Sequence, residues 1–207
     1  MVRYAFTMIE LIFAIVVIGI AVMSLPTMNQ ATSSGIEGNL VQEAVFAAST
    51  ELNQAVSANW DDNSLEPGAP NSLARVIELT AGSCDNNPSS PTFRQMAGHI
   101  NQPLHRRCLD SNATSLATAD VADVTALNDM NKTNATLDNA TTDETGYKLN
   151  FTTTVAIANN AIFDGAANPN MKKITVTIKD ATTSAVITEL VTYSANIGEV
   201  DYYKRTY

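Results

Sequence analysis

Charge is scarce in this sequence: Asp, Glu, Lys and Arg together make up 16% of its 207 residues, which is low for a cytosolic domain. Basic residues are the scarcer kind, 12 against 21 acidic, for a formal net charge of −9. No stretch is basic enough to follow a phosphate backbone, so nucleic acid is not an expected partner. Enzyme signatures are missing too: there is no GxSxG, no Gly-rich phosphate loop and no HExxH. The acidic residues in 120–144 lack the spacing of a Ca²⁺ loop and read as solvated surface. Cysteine occurs twice, at Cys84 and Cys108, and histidine twice, at His99 and His105. The order C-x14-H-x5-H-x2-C matches no compact zinc pattern. The cysteines therefore read as one disulfide, as an oxidising compartment permits. A Cys–His nucleophile has no oxyanion donor beside it in the sequence. No metal or cofactor is called for, and the chain is not expected to be an enzyme.

Apolar residues make up 45% of the chain, enough for a packed core, and their densest run is at the amino terminus. From Phe6 to Leu25 only Glu10 is charged. As a helix this run spans about 30 Å, the thickness of a bilayer core. Between Arg3 and Arg75 there is no Lys or Arg, which puts the cytoplasmic side at Arg3. A cleaved signal peptide fits less well: the run is long, no small-x-small site follows it, and it contains a carboxylate. An acid inside the membrane costs roughly 2.5–3.5 kcal/mol at mid-depth, so Glu10 needs a partner.

The stretch Phe6-Thr7-Met8-Ile9-Glu10-Leu11 resembles the processing and methylation motif of type IV pilins and type II secretion pseudopilins. Gly19 matches a Gly common in that family's helix. The resemblance covers about the first 30 residues. It departs at Ala5, where the family usually has Gly, and at Pro26, one position earlier than the usual helix-kinking Pro. It implies cleavage by a prepilin peptidase between Ala5 and Phe6 and N-methylation of Phe6. It also implies that Glu10 pairs with the new amine of a neighbouring subunit in a filament. The parts it implies are a leader at 1–5, a transmembrane and assembly segment at 6–25, an amphipathic helical half at 26–60, and a globular domain at 61–207.

Beyond Pro26, Ile36, Leu40, Ala44, Ala48, Leu52, Val56 and Trp60 recur at spacing four, flanked by Val41 and Val45. This predicts an amphipathic helix ending near Trp60, before Asp61-Asp62-Asn63 and Pro67-Gly68. Ser33-Ser34-Gly35 and Gly38 leave open either a joint in that helix or a loop between two helices. Residues 71–81 read as a second helix. Residues 82–110 read as an irregular loop stapled by Cys84–Cys108. Residues 111–146 read as exposed loop with a helical turn around Val121–Leu127. The carboxyl-terminal part alternates: Leu149, Phe151, Thr153, Val155 and Ile157, then Ile174, Val176 and Ile178, then 185–195 after a turn at Asp180–Ser184. The tail 201–207 reads as a contact patch or a last edge strand. Five Asn-x-Thr triplets begin at Asn112, Asn131, Asn134, Asn139 and Asn150. Those at Asn112 and Asn131 have Asp two residues earlier, similar to the extended acceptor pattern of bacterial N-glycosylation; chance in an Asn- and Thr-rich segment explains them as well.

The expected fold is therefore α+β: a long amino-terminal helix, membrane-embedded in its first half, packed on a carboxyl-terminal antiparallel β-sheet as in pilins. The expected function is that of a structural, minor subunit of a type IV pilus or a type II secretion pseudopilus. Its partners would be other pilin or pseudopilin subunits, the prepilin peptidase and the bacterial inner membrane. There the chain would sit single-pass, with its domain periplasmic, before assembly. An adhesin or ligand-binding module displayed on a pilin helix is the alternative.

Overall fold

The computed structural model describes residues 7–65, 74–98, 104–110, 115–120, 122, 124–137 and 150–202. The chain forms two compact units, Met1–Glu43 and Ala44–Tyr207. One helix, α1 (Met8–Ser57), starts in the first and ends in the second. It is helical through Pro26 and through residues 33–38, so no loop between two helices forms there.

In the second unit the expected α+β layout is observed. Strands β2 (Lys132–Thr136), β3 (Phe151–Ala158), β6 (Met171–Asp180) and β7 (Val186–Ala195) form an antiparallel sheet in the order β2-β3-β6-β7. The end of α1 packs on one face of it. Register follows the pleat: Val155 pairs with Val176, Ile157 with Ile174 and Thr153 with Ile178. Phe151, Val155, Ile174, Val176 and Ile178 therefore share the face that meets Ala44, Ala47, Ala48 and Ala55 of α1. Burying each of the large strand side chains stabilises by about 1.5–3 kcal/mol. Among the buried helix positions, Ala47, Ala48 and Ala55 lie three, four and eleven residues beyond Ala44, close to whole turns at 3.6 residues per turn. A strict spacing of four drifts about 40° per step, which is why Val56, expected on the stripe, is exposed while Ala55 is buried.

Smaller elements complete the unit. β1 (Leu104–Arg106) pairs with β8 (Val200–Tyr202), so the start of the tail is an edge strand; residues 203–207 lie outside the described set. β4 (Ile162–Phe163) and β5 (Ala166–Ala167) form a short hairpin, and the turn after Asp180 is present, its backbone N–H groups at Thr182 and Thr183 bonded to the Asp180 carboxylate.

Two expectations are overturned. Residues 74–79 are extended, not helical: Val76 bridges Cys108, and Val76 N–H and C=O bond Arg107 O and Leu109 N, both at 3.0 Å. A short run such as Ala74-Arg75-Val76-Ile77, with every residue buried, Arg75 included, carries no period that separates strand from helix. The Asn- and Thr-rich stretch holds more structure than a loop. Leu127–Met130 forms a buried 3₁₀ turn, and β2 follows it with a bulge between Lys132 and Ala135. There Asn134 has φ 48°, a left-handed conformation that Asn tolerates. Gly198, at φ 61°, lies where a Cβ would come within 3.1 Å of Ala74 O and Val76 N, so the chain before β8 approaches the 74–76 segment at glycine distance.

Candidate membrane segment and a buried polar cluster

Within the first unit, α1 begins with Glu10 N–H and Leu11 N–H both bonded to Thr7 O, at 3.1 and 3.2 Å. Glu10 thus sits in the first turn, where a negative charge suits the helix dipole. Around it Met8, Ile9, Leu11, Ile12 and Phe13 are all more than half exposed. The apolar helix is long enough to cross a membrane, and among the described residues its most apolar stretch is exposed. Its hydroxyls turn inward: Ser24, Thr27 and Thr32 donate to carbonyls three or four residues back, at 2.8–2.9 Å. Pro26 lacks an N–H and leaves the Val22 carbonyl without its helical donor. A Cβ at Gly19 would meet open space, so the chain's own packing does not require glycine there. Ala5 and Phe6 lie outside the described residues.

In the second unit the disulfide Cys84–Cys108 is formed, with Cα atoms 6.3 Å apart, and it packs with Val76 in a small core. His99 lies outside the described residues, and only the backbone of His105, in β1, is described. The cysteines are thus oxidised, not zinc ligands. Asn131 is a poor glycosylation acceptor, because its side-chain amide already binds Ile157 N–H at 2.9 Å and Asn128 O at 2.8 Å. Asn112 and Asn139 lie outside the described residues.

A cluster of buried charge lies past the end of α1. Lys172, on the apolar face of β6, has no solvent exposure, and neither has Asp61; Nζ is 2.9 Å from Asp61 Oδ2. It also donates to Trp60 O at 2.6 Å and lies 4.3 Å from the centre of the Trp60 ring. The second Asp61 oxygen, Oδ1, accepts N–H bonds from Asn63 at 3.1 Å and Ala117 at 2.9 Å. Nearby, the Asp129 carboxylate accepts from Asp120 N–H at 2.8 Å, Ala126 N–H at 3.0 Å and Thr125 N–H at 3.4 Å.

These environments move the charges. Burial pulls the Lys172 ammonium below its ordinary value, against the Asp61 carboxylate, which pushes it up. Burial raises Asp62; the Thr125 hydroxyl opposes this and the Asp129 charge adds to it. Burial also acts to raise Asp129, but the three backbone N–H groups outweigh it and hold that carboxyl low. This cluster was missed in the sequence, where Asp61-Asp62 reads only as the end of a helix. The available signal was parity: Lys172 falls on the same alternation as Ile174, Val176 and Ile178, where an apolar residue is the norm. The chain matches no protein-family model, no curated protein and no solved structure.

Proposed function

We propose that this chain is a structural, minor subunit of a type IV pilus or a type II secretion pseudopilus, held in the bacterial inner membrane until it is built into a filament. The observation that supports this reading is the amino-terminal part of α1, an apolar surface on all sides, long enough to cross a membrane, with one carboxylate in its first turn. Such a helix needs an apolar surrounding, supplied by lipid before assembly and by other subunits' helices after it. Its residues match the processing motif, so a prepilin peptidase would cut between Ala5 and Phe6 and methylate the Phe6 amine. In the filament Glu10 would neutralise the amine of an adjacent subunit. The bare Gly19 position would let a neighbouring helix approach closely.

The test compares filaments with membranes. Glu10→Gln keeps shape and hydrogen bonding but removes the charge, so the variant should insert and be processed normally. It should be depleted from sheared filaments relative to membranes, because the neighbour's amine loses a buried counter-ion typically worth about 3–5 kcal/mol. An unchanged ratio means that apolar packing alone recruits the subunit. A mature terminus at Met1, or after the apolar run, sinks the family reading outright.

A further inference from the structure

We propose that Asp61 and Lys172 become joined by an intramolecular isopeptide bond, formed in the folded chain with release of one water. The two side chains meet with no solvent exposure and with Nζ 2.9 Å from Oδ2. Among the described residues, Nζ contacts the Asp61 carboxylate, the Trp60 carbonyl and the Trp60 ring. Away from water, an ammonium–carboxylate pair loses most of its advantage over the neutral amine–acid pair. The depressed Lys172 value has the same cause, although the charges of Asp61, Asp129 and Asp62 push it the other way. Transfer of the shared proton from Nζ to Oδ2 leaves an amine whose lone pair faces the carboxyl group it has just protonated.

The other carboxyl oxygen is already placed for the addition of Nζ to Cγ. Oδ1 accepts two backbone N–H bonds, from Asn63 and Ala117. Paired donors at that atom polarise the carboxyl group and stabilise the oxyanion that the addition creates. The step balances without any co-reactant. Of the three ammonium protons, the first moves to Oδ2 before attack. The second follows as the Cγ–Oδ2 bond breaks, and Oδ2 leaves as water. The third remains as the amide N–H. A C–N bond has replaced a C–O bond, nothing is oxidised or reduced, and two opposite charges have vanished from a buried site. The product keeps its polar partners: Oδ1 retains both N–H donors, and the amide N–H can keep the Trp60 carbonyl, 2.6 Å away before reaction. Folding holds the two groups together, which replaces the entropy cost of a bimolecular condensation.

The bond would tie the residue just past α1 to a central strand of the sheet. The segment 61–172 becomes a covalent ring that contains the Cys84–Cys108 loop. Tension on the end of α1 would then reach β6 through a covalent bond instead of through packing.

The test uses the full chain extracted in detergent, reduced, alkylated and digested, with peptides read by mass spectrometry. The expected result is a branched peptide carrying the Asp61 and Lys172 segments, lighter by one water than the two linear peptides together. Lys172→Arg keeps the charge but cannot form this amide, and should give the two linear peptides only. Should that variant fail to accumulate, the wild-type digest decides alone. Linear peptides with a free Lys172 ε-amine, from protein whose Cys84–Cys108 bond is intact, mean a simple ion pair and overturn the proposal. The readout does not depend on where the mature chain begins, so it stands or falls separately from the pilus reading.

Discussion

Removing the Asp129 carboxylate should cost more than most single changes in this chain. Its three N–H donors are not equivalent. Ala126 N–H is fully buried, so orphaning it costs the desolvation of a buried donor, about 1–3 kcal/mol. Asp120 and Thr125 are exposed, so their N–H groups can turn to water. Losing the 2.8 Å bond from Asp120 costs about 0.5–1.5 kcal/mol, and the 3.4 Å bond from Thr125 adds little. Asp129→Ala is therefore expected to lose roughly 2–4 kcal/mol in all. Asp129→Asn, which keeps one acceptor oxygen, should lose about half of that. The sole tryptophan, Trp60, is buried nearby and reports unfolding by fluorescence. Urea titration of the full chain in detergent gives the midpoint for each variant, and at constant m the loss is m times the midpoint shift. A loss under about 0.5 kcal/mol for Asp129→Ala, in the range of an ordinary surface change, would refute the view that this acid holds the 120–130 segment in place.

Replacing both Cys84 and Cys108 by Ser should destabilise by about 3 kcal/mol in the chain-entropy picture, read by the same titration; with wild-type protein, thiol labelling after denaturation without reductant should find no free cysteine. Gly198→Ala places a Cβ within 3.1 Å of backbone atoms at a left-handed φ and should lower stability by about 1–3 kcal/mol. Asp85, held below the usual carboxylate range by the hydroxyls of Ser90 and Thr92 and the Asn87 N–H, favours folding above its unfolded value. That contribution is lost as pH falls through the folded value, so the protection of the Asn87 amide, its exchange rate taken relative to the intrinsic rate at each pH, should fall on acidification, and Asp85→Asn should abolish that change in protection.

The sheet was legible because Phe151–Ala158 and Met171–Asp180 alternate cleanly, and alternation is what a half-buried antiparallel strand imposes. The amino-terminal helix was legible from its length and lack of charge. β2 was not: Lys132–Thr136 is polar, lies at a sheet edge and contains a bulge, so it buries little and leaves no periodic trace. The 74–79 segment failed for the opposite reason: its first four residues, Ala74 to Ile77, are all buried, so neither face alternates. As for the buried cluster, Asp61, Asp129 and Lys172 come together only through long-range pairing, which a linear sequence does not display. The Glu10 motif, by contrast, is entirely local, so its residues could be named before any fold was known.

The alanine face of α1 has a consequence for how the helix end finds its place. Alanine has no side-chain rotamers to freeze, so docking Ala44, Ala47, Ala48 and Ala55 costs almost no side-chain entropy. The same smoothness gives little interlocking shape: Leu52 is the larger α1 side chain packed against this core, and a face made mostly of methyl groups can slide along a sheet at little expense. Position must come from directional contacts at the flanks. Glu51 meets Lys132 of β2 at 2.7 Å, and beyond the last turn the Trp60 indole donates to Ser194 O of β7. The methyl face supplies adhesion, and these two polar latches choose the notch in which the helix stops.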